Sequence, residues 1–157
     1  MKIQYLQRLQ QTPIIGTRKI EGVSDFEIQE VEAKFNISFP QTYKEFLFLA
    51  GEYPGALQIL DTNDLTTISH DEHQKMMWEE IERSGIKFER PFWLFAQSED
   101  CEQFWFFYLD EQTDDPNVYA FEYANDWVST HIRDFKMTFS DLILRQIDVA
   151  IEDAKYS

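Results

Sequence analysis

One cysteine, Cys101, stands among the 157 residues, so no internal disulfide can staple the chain, and a reducing compartment suits this usage. Long apolar runs are missing too. No window approaches the ~18 consecutive apolar residues of a membrane span. The opening Met1-Lys2-Ile3-Gln4-Tyr5-Leu6-Gln7-Arg8 lacks the unbroken apolar stretch of a signal peptide. These absences predict a cytoplasmic protein. Five Gly and five Pro form no linker-like tract. No P-loop, dinucleotide fingerprint, nucleophile elbow or EF-hand sequence appears either.

Basic residues are scarce: 14 Lys plus Arg face 29 Asp plus Glu, a net charge of −15. The shortage is uneven. Residues 1–23 hold four cations (Lys2, Arg8, Arg18, Lys19) against Glu21, a net of +3, and the remainder nets −18. Such a body repels nucleic acid and anionic membranes, because backbone binding needs cations that displace counterions. It attracts basic proteins, and complementary fields raise association rates towards ~10⁸–10⁹ M⁻¹s⁻¹ at low salt. Acidity also serves plain solubility.

What is abundant is aromatic area. Hydrophobic residues make up 43% and aromatics 16%, with 14 Phe, 7 Tyr and 4 Trp, enough for a packed interior. The length suits one domain. We expect an N-terminal arm over 1–23, weakly periodic, broken by Pro13 and Gly16 and loosely docked, followed by a domain over 24–157.

Ser24-Asp25-Phe26-Glu27 is a capping-box signature, and Ile28, Val31 and Phe35 continue it at helical spacing to an end near Asn36. Pro40 suits the first turn of a second helix with Tyr43, Phe46, Leu47 and Ala50 on one face and Gly51 as its stop. Ala56–Leu60 reads as a strand. The second half of 64–83 reads as a helix, closed by Gly85. Phe92–Gln97, Phe104–Leu109 and Val118–Tyr123 are aromatic runs that predict a three-stranded antiparallel meander, with Asp114-Asp115-Pro116-Asn117 as the last turn. After Thr138, a stripe from Phe139 to Ile151 predicts a closing helix. This order gives an α+β fold, an antiparallel sheet packed against helices.

Several of these segments resemble a known pattern. The stretch Ile28-x₂-Val31-Glu32-x₂-Phe35-Asn36-Ile37-x-Phe39-Pro40-x₂-Tyr43-x₂-Phe46-Leu47-x-Leu49-Ala50 is similar to the opening of the SUKH superfamily of Smi/Knr-like domains. Phe92-Trp93-Leu94-Phe95-Ala96, Val118-Tyr119-x-Phe121-Glu122 and Thr138-Phe139-Ser140-Asp141-Leu142-Ile143 follow in the expected order, and the likeness spans about residues 24–150. Members usually carry Gly where Asn36 stands, a change that Asn tolerates in left-handed backbone. The resemblance implies a non-catalytic bacterial immunity protein that binds a cognate toxin, often a nuclease or deaminase. A regulatory or scaffold module without a toxin, as in fungal relatives, is the alternative.

The stretch Pro91–Ile132 is the place to look for a binding surface. It holds nine carboxylates and twelve aromatics without one Lys or Arg. Candidate partner-binding residues are Glu99, Asp100, Glu102, Trp105, Tyr108, Asp110, Glu111, Asp114, Asp115 and Asp126. Successive turns of a meander alternate ends, so these cannot all share one edge. The competing reading makes the aromatics core and the acids a solvated rim. His70 and His73, three apart, lack an evident third ligand and read as helix surface. Cys101 sits among Glu99, Asp100 and Glu102, whose charge dulls a thiol nucleophile. No catalytic group, metal or cofactor is expected, and the partner is a basic protein rather than nucleic acid or membrane.

Overall fold

In the computed structural model, which describes residues 1–100, 102–122 and 131–157, the first residues are built into the interior. Helix α1 (Gln7–Gln11) leads into a hairpin of β1 (Ile14–Ile15) and β2 (Arg18–Lys19), turned through Gly16 at φ 64°. Ile3, Leu6, Leu9 and Ile15 join the main apolar core. Loose docking of this segment, expected from its weak periodicity, is therefore corrected. Gly22 lets the chain pass against the following helices, because a Cβ there would lie 1.6 Å from the Phe48 carbonyl oxygen.

Helix α2 (Asp25–Phe35) starts at the expected capping box: Ser24 Oγ accepts the Glu27 N–H at 3.1 Å, and the Glu27 carboxylate accepts the Ser24 N–H at 2.7 Å. It ends at Asn36 in the left-handed conformation, φ 53°. Helix α3 (Gln41–Ala50) follows, with Pro40 at its cap. Its inner face carries Tyr43, Phe46 and Leu47, all buried, and also the wholly buried carboxylate of Glu45. That carboxylate explains the arm. Glu45 Oε1 accepts the backbone N–H groups of Gln4, Tyr5 and Leu6 at 3.0, 2.8 and 3.0 Å, and Oε2 accepts the Gln41 side-chain amide at 3.1 Å. A buried carboxylate needs donors, and the arm supplies them.

Ala56–Leu60 is not a strand. Leu57 and Ile59 are buried, but Leu60 turns to φ 51° and breaks the extension, leaving an isolated bridge between Thr62 and Gln97. The helix expected over the second half of 64–83 is α5 (Asp71–Ser84), which starts earlier than expected and ends at Gly85 with φ 80°; a short helix α4 (Leu65–Ile68), not expected from the sequence, precedes it.

Strands β3 (Phe92–Gln97), β4 (Gln103–Tyr108), β5 (Asn117–Glu122) and β6 (His131–Thr138) form one antiparallel meander in that order. The expected third strand reached Tyr123, which lies outside the described residues. β6 was missing from the sequence expectation. It is a largely exposed edge strand, disrupted where Lys136 takes φ 55° and its N–H bonds the Asp134 carboxylate at 2.7 Å. Such a break guards an edge against further pairing.

Both sheet faces are covered. Trp93, Phe95, Phe107 and Val118 meet α3 and the closing helix α6 (Phe139–Ala154), whereas Leu94, Phe104, Phe106 and Phe121 meet Met77 and Ile81 of α5. The fold is α+β, with helices on either side of the sheet.

Replacing Glu45 by Ala orphans three backbone donors. We expect a loss of about 3 kcal/mol in urea unfolding, with amide exchange of Gln4, Tyr5 and Leu6 accelerating first. Glu45→Gln keeps an acceptor and loses less. A change below about 0.5 kcal/mol for Glu45→Ala would contradict the clasp.

Candidate interaction site

The meander sorts the candidate carboxylates into two groups at opposite ends. One end carries the β3–β4 turn with Glu99, Asp100 and Glu102. The other carries the β4–β5 loop with Asp110, Glu111, Asp114 and Asp115. Asp126 and Cys101 lie outside the described residues. The structure does not bring these candidates into one patch.

The β4–β5 loop is stitched to the rest of the protein by its acids. Arg90 grips Asp110 in a two-pronged contact, at 2.7 Å from its Nη2 and 3.0 Å from its Nε, and lies 3.7 Å from Glu111. The hydrogen bond from Arg90 holds the Asp110 carboxyl below its ordinary value. The same guanidinium sits 3.7 Å over the Tyr108 ring. Asp114 accepts the Tyr5 hydroxyl at 3.2 Å, while its carbonyl accepts the Thr42 N–H at 2.9 Å. Asp115 accepts both the N–H and the hydroxyl of Ser140, in the first turn of α6. These four acids serve the fold.

The β3–β4 turn is built differently. Asp100 accepts the Ser98 hydroxyl at 2.6 Å and the Glu102 N–H at 3.0 Å, bonds that together lower its pKa, the Ser98 bond more strongly. Asp61 accepts the Glu99 N–H, and Ser98 and Gln103 close the turn at 3.0 Å. Glu99 and Glu102 stand exposed there, with no cation bound to either among the described residues. Nearby on β5, Glu122 is engaged by Arg133 at 2.7 Å and His131 at 2.9 Å.

The two aromatic candidates face opposite ways. Trp105 packs on the α6 side against Phe135, ring centres 5.3 Å apart, and donates its indole N–H to Gln103 at 3.3 Å. It lines a shallow depression with Leu60, Asp61 and Gln146. Tyr108 lies on the α5 side with Phe106 and Tyr119, half-buried, its hydroxyl pKa raised by burial.

Sequence reasoning missed three groups. Arg90 and Arg133 stand just outside the cation-free stretch and fold back onto its acids, and Asp61 reaches the acidic turn from a distant segment. Only their closeness to the window's limits hinted at the arginines. Of the two histidines, His70 caps α5 by accepting the Glu72 N–H at 3.3 Å. His73 is half-buried, and desolvation lowers its pKa. Among the described residues no group of three or more His, Cys, Asp or Glu is placed to hold a metal ion, and no helix is long and apolar enough to cross a membrane.

Helices on both faces of a four-stranded antiparallel meander, preceded by the linked pair α2–α3, define the class of domain. The sequence profile described as SMI1 / KNR4 family (SUKH-1) matches residues 22–145, and the chain belongs to that family. The family includes toxin immunity proteins alongside other members and is generally non-catalytic. No curated protein matches the chain.

The division of labour among the acids predicts unequal mutants. Asp115→Ala should cost about 1–2 kcal/mol in thermal or urea unfolding, as lost helix caps do, whereas Glu99→Gln and Glu102→Gln should stay within about 0.5 kcal/mol. Equal effects would contradict the assignment. The depressed Asp110 carboxyl stabilises the fold above the ordinary carboxylate range, and that contribution fades as pH falls through it. Asp110→Asn should accordingly flatten the acid limb of a plot of melting temperature against pH; an unchanged limb would count against the Arg90 contact.

Proposed function

We propose that this protein is an immunity protein that binds a cognate protein toxin and blocks it by occlusion, without a catalytic group of its own. Membership of a family that includes toxin immunity proteins carries this reading, and the −18 charge beyond residue 23 supports a basic partner. The contact would centre on the β3–β4 turn. Among the described residues no cation binds the Glu99 or Glu102 carboxylate, while Asp61 and Asp100 accept their backbone N–H groups. Pre-ordered charges lose little freedom on binding. Trp105, half-buried beside the turn, would add apolar contact area.

Against a nuclease, these carboxylates would occupy the positions of substrate phosphates in a basic groove. The same surface would serve a regulatory or scaffold role with no toxin, a reading that the family's other members favour. The neighbouring gene separates the two: a toxin gene beside this one supports immunity, an isolated locus the scaffold.

Two measurements test the proposal. Co-expression with the neighbour-encoded toxin should restore growth, and killing that proceeds equally with and without this protein would remove the idea. In stopped-flow mixing, association should slow steeply between 0.01 and 0.15 M salt, where the screening length falls from ~30 to ~8 Å. The Glu99→Lys, Glu102→Lys pair should slow association by about tenfold at low salt, with dissociation little changed.

A further inference from the structure

Behind the acidic turn, the last residue of β3 is clamped to the segment that precedes α4. The Gln97 N–H donates to the Thr62 carbonyl at 2.8 Å, and the Gln97 carbonyl accepts the N–H groups of Asp61 and Thr62 at 3.0 and 2.9 Å. Asp61 in turn accepts the Glu99 N–H through its carboxylate. Residues 61–62 thus link Gln97 to the β3–β4 turn. The Gln97 side chain points to a different neighbour. It is buried and hydrogen-bonds the ring of His73, on α5. His73 Nε2 and Gln97 Oε1 are both sealed from water.

A titratable ring is therefore set against the residue that carries the clamp, in a seat that suits it only when neutral. One ring nitrogen is closed off from water. The ring also stands in the first turn of α5, where the positive end of the helix dipole opposes a cation. His70, at the head of the same helix, opposes it too, whereas Asp64, at the head of α4, and the bond to Gln97 favour the charged ring. These are the groups that face it. Removal from water outweighs the rest and holds the ring below the ordinary histidine range.

We propose that His73 is a proton-operated switch for this clamp: on taking up a proton in mildly acidic solution its ring leaves the seat against Gln97, and residues 61–62 and the β3–β4 turn loosen together. The neutral ring has one N–H to satisfy and the imidazolium two, and a charge shut away from water is costly. The sign follows from linkage. A ring that binds its proton less readily in the closed form favours opening as pH falls below the ordinary histidine range, and leaves the clamp intact above it. The switch belongs to the free protein. It acts on the turn proposed for partner binding but does not rest on the immunity reading.

The test is an NMR titration of the full-length protein from about pH 7.5 to about pH 5, across the histidine range. It follows the His73 ring carbons and the amides of Asp61, Thr62, Gln97 and Glu99. The ring should titrate with a midpoint below that of a free histidine, and the four amides should shift with that same midpoint. Hydrogen exchange at Thr62 and Gln97, corrected for its intrinsic pH dependence, should quicken several-fold over the range. His73→Gln should abolish both backbone responses, and His73→Phe repeats the comparison if the first variant does not fold. Asp64→Asn, which keeps a cap for α4, should lower the midpoint, and His70→Asn should raise it. His131→Gln, at the start of β6, should leave the response at residues 61–62 unchanged. Amides that stay still while the ring titrates, that respond equally in His73→Gln, or that follow His131 would overturn the proposal. So would a ring that stays neutral throughout, or a midpoint that moves the opposite way in either capping variant.

Discussion

The hydrogen bond from the Trp93 indole to the Tyr43 hydroxyl, 3.0 Å long and wholly buried, ties the helices to the sheet. Around it the Tyr43 ring meets Phe39, Phe107 and Phe139 at centroid distances of 4.9, 5.2 and 5.6 Å, so α3, β4 and α6 converge on one side chain. Burial raises the Tyr43 pKa far above its ordinary value, and the phenol stays neutral. An indole N–H left unpaired at this depth would cost about 1–3 kcal/mol, which makes the pairing selective for one placement of β3. The acidic turn proposed for partner binding follows directly from the end of that strand.

The acidic composition serves two purposes that the net charge conceals. Some carboxylates are structural, because a backbone N–H or a hydroxyl needs an acceptor where water is scarce: Glu45 for the arm, Glu32 for the Phe39 N–H at 2.7 Å, Asp115 for α6. Others, Glu99 and Glu102 foremost, bind no cation among the described residues and remain as surface charge. On the proposed reading a basic partner would meet the second group, since the first is already engaged by donors.

Much of the fold was legible in the sequence because it rests on local signals. Ser24 and Glu27 form a capping box from neighbouring residues alone, and Asn36 takes the left-handed turn that its side chain tolerates. The aromatic runs of β3 to β5 gave their strands away. β6 did not, because an exposed edge strand with charges at Arg133, Asp134 and Lys136 has no apolar period to detect. The arm was misread for a different reason: backbone N–H groups bonded to Glu45, some forty residues away, leave no mark on local periodicity. For the site, the stretch free of Lys and Arg was real in sequence yet not in space, where Arg90 and Arg133 close over Asp110 and Glu122.

The central claim is that a partner would be met by the exposed Glu99 and Glu102 carboxylates that follow β3, where Asp61 and Asp100 accept their backbone N–H groups. Hydrogen-exchange footprinting of the complex with the neighbour-encoded toxin tests it most directly. The account predicts that new protection gathers on residues 98–104 while α2 and the first 23 residues exchange as in the free protein. Protection confined to the arm or to α2, with the β3–β4 turn unchanged, would contradict it.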